Sequence, residues 1–401
     1  MRAGLARRGA ADRVDELLAL DGRRRELLPE LEGLRAQQND ASEAIGAAKR
    51  AGDDAAEPIA AMREVAARVK EMQGELGAVE ERIRDVLATV PNIPEESAPA
   101  EDAVLRQWGE AGASGPDHLE LLGALVDMEA GSRVAGARFA YLRGPLVLLE
   151  LALVRWAIEE LSARGFEPVI PPVLVREHAL FGTGFLPDTE QQIYRVPDDD
   201  LYLAGTSEVP LAALHAGEIV AADRLPLRYA GFSTCFRREA GAAGKDTRGI
   251  FRVHQFEKVE MFSFVVPEDS AEEHERLLAI EEEIVQALGL PYRVVNIAVD
   301  DLGASAAKKY DIEVWLPGQE RFRELTSTSN TTDYQARRLD VRYRPAESKG
   351  PRYVHTLNGT AVAAGRTIIA LVENGQQEDG TVVLPEVLRA FGAPERIERA
   401  G

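Results

Sequence analysis

The chain has 401 residues, 45% of them hydrophobic, which suits one large unit with a sizeable core plus an appendage. A formal net charge of −20 excludes indiscriminate nucleic-acid binding, so any contact with a polyanion has to come from local basic patches. The single cysteine, Cys235, excludes an intrachain disulfide framework and a multi-cysteine zinc site. No apolar run is as long as a membrane span and the opening MRAGLARRGA lacks the core of a secretion signal, so we expect a soluble, cytoplasmic protein.

In chain order, Leu20, Arg24, Leu27, Leu31, Leu34, Gln38, Ala41, Ile45 and Ala48 recur at alternate steps of four and three, a heptad seam. Ala51-Gly52-Asp53-Asp54 reads as a turn, after which Met62, Ala66, Val69, Gln73, Leu76 and Ile83 continue a similar spacing. Two such helices joined by a short loop predict an antiparallel coiled-coil hairpin over residues 1–95, with a kink at Pro29. Pro91-Asn92-Ile93-Pro94 ends the second helix, and the acidic, Ala- and Pro-rich run over 96–115 reads as a linker to a larger domain, 116–401. There a helix-like spacing over Leu148 to Leu161 leads through Gly165 into a strand-like run, Phe166 to Ile170, closed by Pro171-Pro172. Segments rich in β-branched and aromatic residues follow at Tyr229–Phe236, Phe251–Phe264, Tyr292–Val299 and Tyr310–Trp315, alternating with helices. They predict an α+β domain with a mostly antiparallel sheet flanked by helices. With neither a Walker A loop nor a strand followed by Gly-x-Gly-x-x-Gly, a nucleotide would have to be held on the sheet itself.

The stretch from Cys235 to Phe262 is the richest in chemistry. Arg237 can fork onto a phosphate or carboxylate, Glu239 can accept from an amine, and Phe256 offers a flat face to a base. Between them, Ala240 to Gly249 is rich in Gly and Ala with Lys245 and Arg248, a loop suited to touching a polyanion. An isolated Arg-x-Glu is more often a β-hairpin with a solvated tip, and the rest of the chain overturns that reading.

This stretch resembles motif 2 of the class II aminoacyl-tRNA synthetases, and DTRGIFRVHQFEKVEMF is similar to the seryl-tRNA synthetase version in particular. Gly182-Thr183-Gly184, Gly205-Thr206-Ser207-Glu208, the run from Arg323 to Asn330, and Leu357-Asn358-Gly359-Thr360 leading into Gly365-Arg366 resemble the same family in the same order. The resemblance covers nearly the whole chain, although the family usually begins with a further short segment before the first arm helix: either the start is misassigned or the base of the arm is shortened. The resemblance implies an ATP-dependent ligase that makes seryl-adenylate and transfers serine to the terminal adenosine of tRNA(Ser), and of tRNA(Sec) where present.

By that resemblance Arg237 and Arg366 are catalytic, and ATP is held by Arg237, Arg238, Glu239, Phe256, Glu324, Leu325, Thr326, Ser327 and Arg366. Serine is held by Thr206, Ser207, Glu208, Arg237, Glu260, Asn358 and Thr360. Glu324 and Ser327 supply hard oxygens for Mg2+. Lys245, Arg248, Arg35, Lys49 and Arg50 are expected to meet tRNA, and the helix and strand around Gly165 to form a homodimer interface. Two other readings are open: an adenylating relative that loads a carrier protein, against which the long hairpin argues, and a non-catalytic paralogue, against which the retained Arg237, Glu239, Phe256, Glu260, Glu324 and Arg366 argue.

Overall fold

The computed structural model describes residues 1–52, 54–187, 192–240, 248–345 and 350–398. It divides into two compact units, Met1–Pro91 and Asn92–Gly401.

In the first unit a short helix, Arg2–Ala6, precedes two long ones, α1 (Ala11–Ala51) and α2 (Ala56–Thr89). At a rise of about 1.5 Å per residue these are roughly 60 and 50 Å long. Leu27 and Leu31 of α1 pack with Val69 and Met72 of α2, flanked by Leu34, Val65, Leu76 and Val79. The α2 seam therefore differs from the expected one: Met72 is buried and Gln73 exposed, because the apolar set Val65, Val69, Met72, Leu76, Val79 keeps the heptad without burying an amide. Arg23 pairs with Glu75 at 2.5 Å, Arg82 with Glu16 at 2.5 Å and Arg68 with Glu30 at 3.7 Å, numbers that rise in one helix as they fall in the other, as antiparallel helices require. Helix α1 runs unbroken through Pro29 and ends at Gly52, whose φ of +82° supplies the left-handed cap.

The second unit is built on an eight-stranded sheet. Its strands are β1 (Ala103–Trp108), β2 (Glu167–Val169), β3 (Leu227–Phe236), β4 (Gln255–Val265), β5 (Tyr292–Asn296), β6 (Lys308–Leu316), β7 (Arg321–Thr332) and β8 (His355–Ala363), in the order β1-β5-β6-β7-β8-β4-β3-β2. Only the β2–β3 pair is parallel. The run expected as a linker thus contributes an edge strand, β1 on β5. Its side chains are mostly exposed, so composition reads it as solvated, while backbone pairing and the stacking of Trp108 on Tyr292 order it.

Helix α3 (Pro145–Ala163) buries Leu146, Leu149, Leu153, Trp156 and Leu161 in the main core, and Gly165, at φ +86°, turns it into β2. Its outer side is apolar too: Leu148 is 53% and Leu151 60% exposed, and Ile170 just beyond β2 is 81% exposed. The remaining helices that shape the site are α4 (Glu208–Ala212), α5 (Ser270–Ala287), α6 (Tyr334–Leu339) and α7 (Ala364–Asn374).

Two bulges matter more than any helix. Opposite Ile312 and Glu313, strand β7 carries one extra residue, Leu325; opposite Val259 and Glu260, β8 carries one extra, Ala361. Each shifts the two-residue alternation of its strand by one. Glu324 and Ser327, an odd number of residues apart, therefore share a face, and so do Thr360 and Ala363.

Candidate active site

One face of the central strands opens into a cleft of about 440 Å³. Strand β4 presents Phe256, Lys258 and Glu260 to it at strict two-residue spacing, while Val259 and Met261, on either side of Glu260, enter the core. On the two sides of the Ala361 bulge, β8 adds Asn358 and Thr360, then Ala363; on the two sides of the Leu325 bulge, β7 adds Glu324, then Ser327 and Ser329. Arg237 arrives from the end of β3, Thr206 and Glu208 from the start of α4, and Arg366 from the first turn of α7.

At one end, Arg237 donates through Nε to the Gly205 carbonyl at 3.1 Å, and its guanidinium lies 5.2 Å from the centre of the Phe256 ring. Arg366 donates to the Glu324 carbonyl at 3.1 Å and sits 3.3 Å from the Glu324 carboxylate. Burial works against ionising Glu324, yet Arg366, Lys309 and Arg237 together hold its carboxyl below the usual range. Phe251 lies against both Arg323 and Arg366, at 4.0 and 4.8 Å from their guanidinium centres. Glu239 lines the cleft at a φ of +50°, with its carboxylate engaged by Arg252.

At the other end the acids are buried. Glu208 Oε1 accepts from Gln335 Nε2 at 2.8 Å and from Asn358 Nδ2 at 3.0 Å. Burial and the nearby charge of Glu260 push its carboxyl up to about 7, against the opposing pull of Lys258, Gln335 and Arg237. Glu260 is likewise raised by burial, although the Lys258 ammonium sits on its Oε2 and Thr360 Oγ1 donates to the same oxygen at 3.3 Å. An ammonium and a small hydroxyl are what such a set of acids and hydroxyls can satisfy in a confined space.

Several expected residues are not brought to the cleft. Ser207 is buried behind it and contacts the Gly231 carbonyl at 3.4 Å. Arg238 ties its backbone N–H to the Gln192 carbonyl at 2.8 Å and does not line the cleft. Leu325 and Thr326 do line the cleft, but the Thr326 hydroxyl turns away from it to Glu281 Oε2 of α5 at 3.1 Å, and Leu325 also packs into the core. Arg248 is held by Asp117 and Glu120 at 3.0 and 3.2 Å, and Lys245 lies outside the described residues. Arg35, Lys49 and Arg50 are exposed on α1. Conversely, sequence reasoning missed Lys258, Lys309, Phe251 and Arg252. The strand period could have found Lys258, midway between Phe256 and Glu260; nothing local marks Lys309.

For a magnesium ion the donor set is suitable. Glu324 and Ser327 offer hard oxygens on one face, and the Glu324 side chain is 44% exposed. Magnesium takes few protein ligands beside water and phosphate.

Residues 193–375 match the family model for the tRNA synthetase class II core domain (G, H, P, S and T), and residues 1–94 match the seryl-tRNA synthetase N-terminal domain. The fold and cleft are therefore those of a class II aminoacyl-tRNA synthetase. The chain is 50% identical to the serine–tRNA ligase of Thermobifida fusca over 98% of its own length and 94% of that protein's. It is also 50% identical to that of Rubrobacter xylanophilus, over 97% and 94%. The structure is similar to the seryl-tRNA synthetase of Pyrococcus horikoshii complexed with ATP, with a TM-score of 0.92, 43% identity, and coverage of 100% of this chain and 97% of that one. The chain belongs to the seryl-tRNA synthetase family. Among the described residues no helix is long and apolar enough to cross a membrane.

Proposed function

We propose that the chain activates serine with ATP to seryl-adenylate and transfers the seryl group to the terminal adenosine of tRNA(Ser), and of tRNA(Sec) where present, acting in the cytoplasm. The observation that carries this reading is that one cleft holds both a cationic end, Arg237 and Arg366, and a buried acid and hydroxyl end, Glu208, Glu260 and Thr360.

Activation is an in-line attack of the serine carboxylate on the α-phosphate with loss of pyrophosphate, and it asks for alignment and charge neutralisation rather than covalent help. Arg237, fixed by the Gly205 carbonyl, bridges carboxylate and α-phosphate. Arg366 meets the γ-phosphate side. The adenine lies between Phe256 and the Glu239 region, with Glu239 accepting from its amine. Glu208 and Glu260 hold the serine ammonium and Thr360 meets its hydroxyl. Mg2+ on Glu324 and Ser327 would neutralise phosphate charge. The exposed bases of the hairpin, among them Arg35, Lys49 and Arg50, meet tRNA phosphate, with Lys245 and Arg248 near the acceptor end. Two copies associate through the exposed apolar side of α3 and strand β2, where Leu148, Leu151 and Ile170 face outward.

The test is aminoacylation of total tRNA with each amino acid in turn, with serine-dependent pyrophosphate exchange alongside. Serine alone should be charged. Charging of a different amino acid, or an absence of exchange, would defeat the reading.

A further inference from the structure

The acid end of the cleft is supported from behind by a residue that does not line it. Gln335, in the first turn of α6, is fully buried. Its orientation follows from its neighbours: the amide nitrogen, 2.8 Å from Glu208 Oε1, has to be the end facing a carboxylate, and the amide oxygen then accepts from Thr356 Oγ1 at 2.9 Å. Thr356 is itself buried, with the Thr331 hydroxyl 2.6 Å from its own. The result is a relay from β7 through β8 and α6 to α4, each member aligning the next. The Gln335 and Asn358 bonds both land on Oε1 of Glu208, so Oε2 is the oxygen available to the cleft.

We propose that Gln335 is a positioning residue for amino-acid recognition, clamping one oxygen of Glu208 so that the other is aimed at the substrate ammonium; this rests on the reading of Glu208 as part of the serine pocket. The amide suits the task because it donates without ionising. A lysine or arginine in its place would bond Glu208 equally well but cancel the charge that the ammonium needs. The charged groups that already bear on Glu208 are Glu260 and Lys258 of β4 and Arg237 at the end of β3. Among these opposing influences the Gln335 bond favours the ionised form, so its loss moves Glu208 toward the neutral acid.

The experiment measures serine-dependent pyrophosphate exchange across pH in the full-length protein, with KM determined separately for serine and ATP. Gln335→Met keeps the length and removes the donor. It should raise the serine KM by roughly ten- to a hundredfold, the range for a lost hydrogen bond to a charged group, and leave the ATP KM near its starting value. The acid limb of kcat/KM for serine should move to higher pH. Thr356→Val, which frees the amide oxygen without touching Glu208, should shift both quantities the same way by less, and serves if Gln335→Met does not fold. Glu208→Gln is the control. If it leaves the serine KM unchanged, the pocket reading falls and this role with it. If it raises the serine KM while Gln335→Met or Thr356→Val raises the serine and ATP constants together, or neither, with no displacement of the acid limb, Gln335 is only a packing residue and the proposal alone is overturned.

Discussion

Replacing Lys258 by methionine separates electrostatics from packing at the acid end of the cleft. Lys258 is 6% exposed and its ammonium rests on Glu260, which is 2% exposed. Removing one partner of a buried pair strands the other, at a cost of about 3–5 kcal/mol. That cost depends on pH with a definite sign. Glu260 already has a folded-state carboxyl raised by burial, and Lys258 is the main influence holding it down. Without Lys258 it rises further, so the variant loses stability progressively as pH climbs from the ordinary carboxylate range through the new, higher value, and levels off above it. The deficit should be small at the acid end of that range, where the stranded acid is protonated, and fully developed at the alkaline end, where it is ionised. There, a fall of roughly 5–15 °C is expected in the melting transition of the catalytic unit, followed by scanning calorimetry. Lys258→Met combined with Glu260→Gln should abolish the pH dependence and recover most of the loss. A deficit equal at both ends of the range, or a double variant as unstable as the single one, would mean that Lys258 contributes through its methylenes and that the ion pair is incidental.

Arg237→Ala and Arg366→Ala should each lower serine-dependent pyrophosphate exchange by about 10²–10³-fold, on the order of 2.7–4 kcal/mol, with circular dichroism unchanged; near-normal exchange in either folded variant would remove the phosphate roles. Thr360→Val, which takes away the hydroxyl that donates to Glu260 at 3.3 Å, should harm serine activation more than alanine activation. Equal losses in the two specificity constants would make Thr360 structural. Deleting residues 10–90 should spare adenylate formation and severely reduce tRNA charging. Tight, salt-dependent tRNA binding by the shortened protein would contradict a role for the hairpin.

The sequence was most legible where a side chain's chemistry and its strand period agree. Phe256, Glu260, Asn358 and Thr360 are all in the cleft because period-two alternation along β4 and β8 carries them there. It was least legible where the backbone breaks that period. Thr326 looks as eligible as Ser327 in the linear sequence, and only the bulge at Leu325 decides which hydroxyl faces the cleft and which meets Glu281. Edge strand β1 was hidden for another reason: a strand whose side chains stay exposed carries no hydrophobic pattern, and its order comes from hydrogen bonds that composition does not register. In the hairpin, Met72 and Gln73 were exchanged because a heptad tolerates a one-residue ambiguity until burial resolves it. Gln335 gave no local sign at all, since its partners lie 127 and 21 residues away.

A strand is read two residues at a time, and each bulge is a frame shift within that reading. Substituting Leu325 or Ala361 changes one side chain, and deleting either removes the extra residue itself, so that Glu324 and Ser327, or Thr360 and Ala363, would share a face by plain alternation. The two positions are thus the points at which either strand can lose a residue and keep its faces. Loss of a regularly paired residue such as Thr328 or Gly359 would instead exchange the two faces on one side of the cut and reverse the polarity of the cleft wall there.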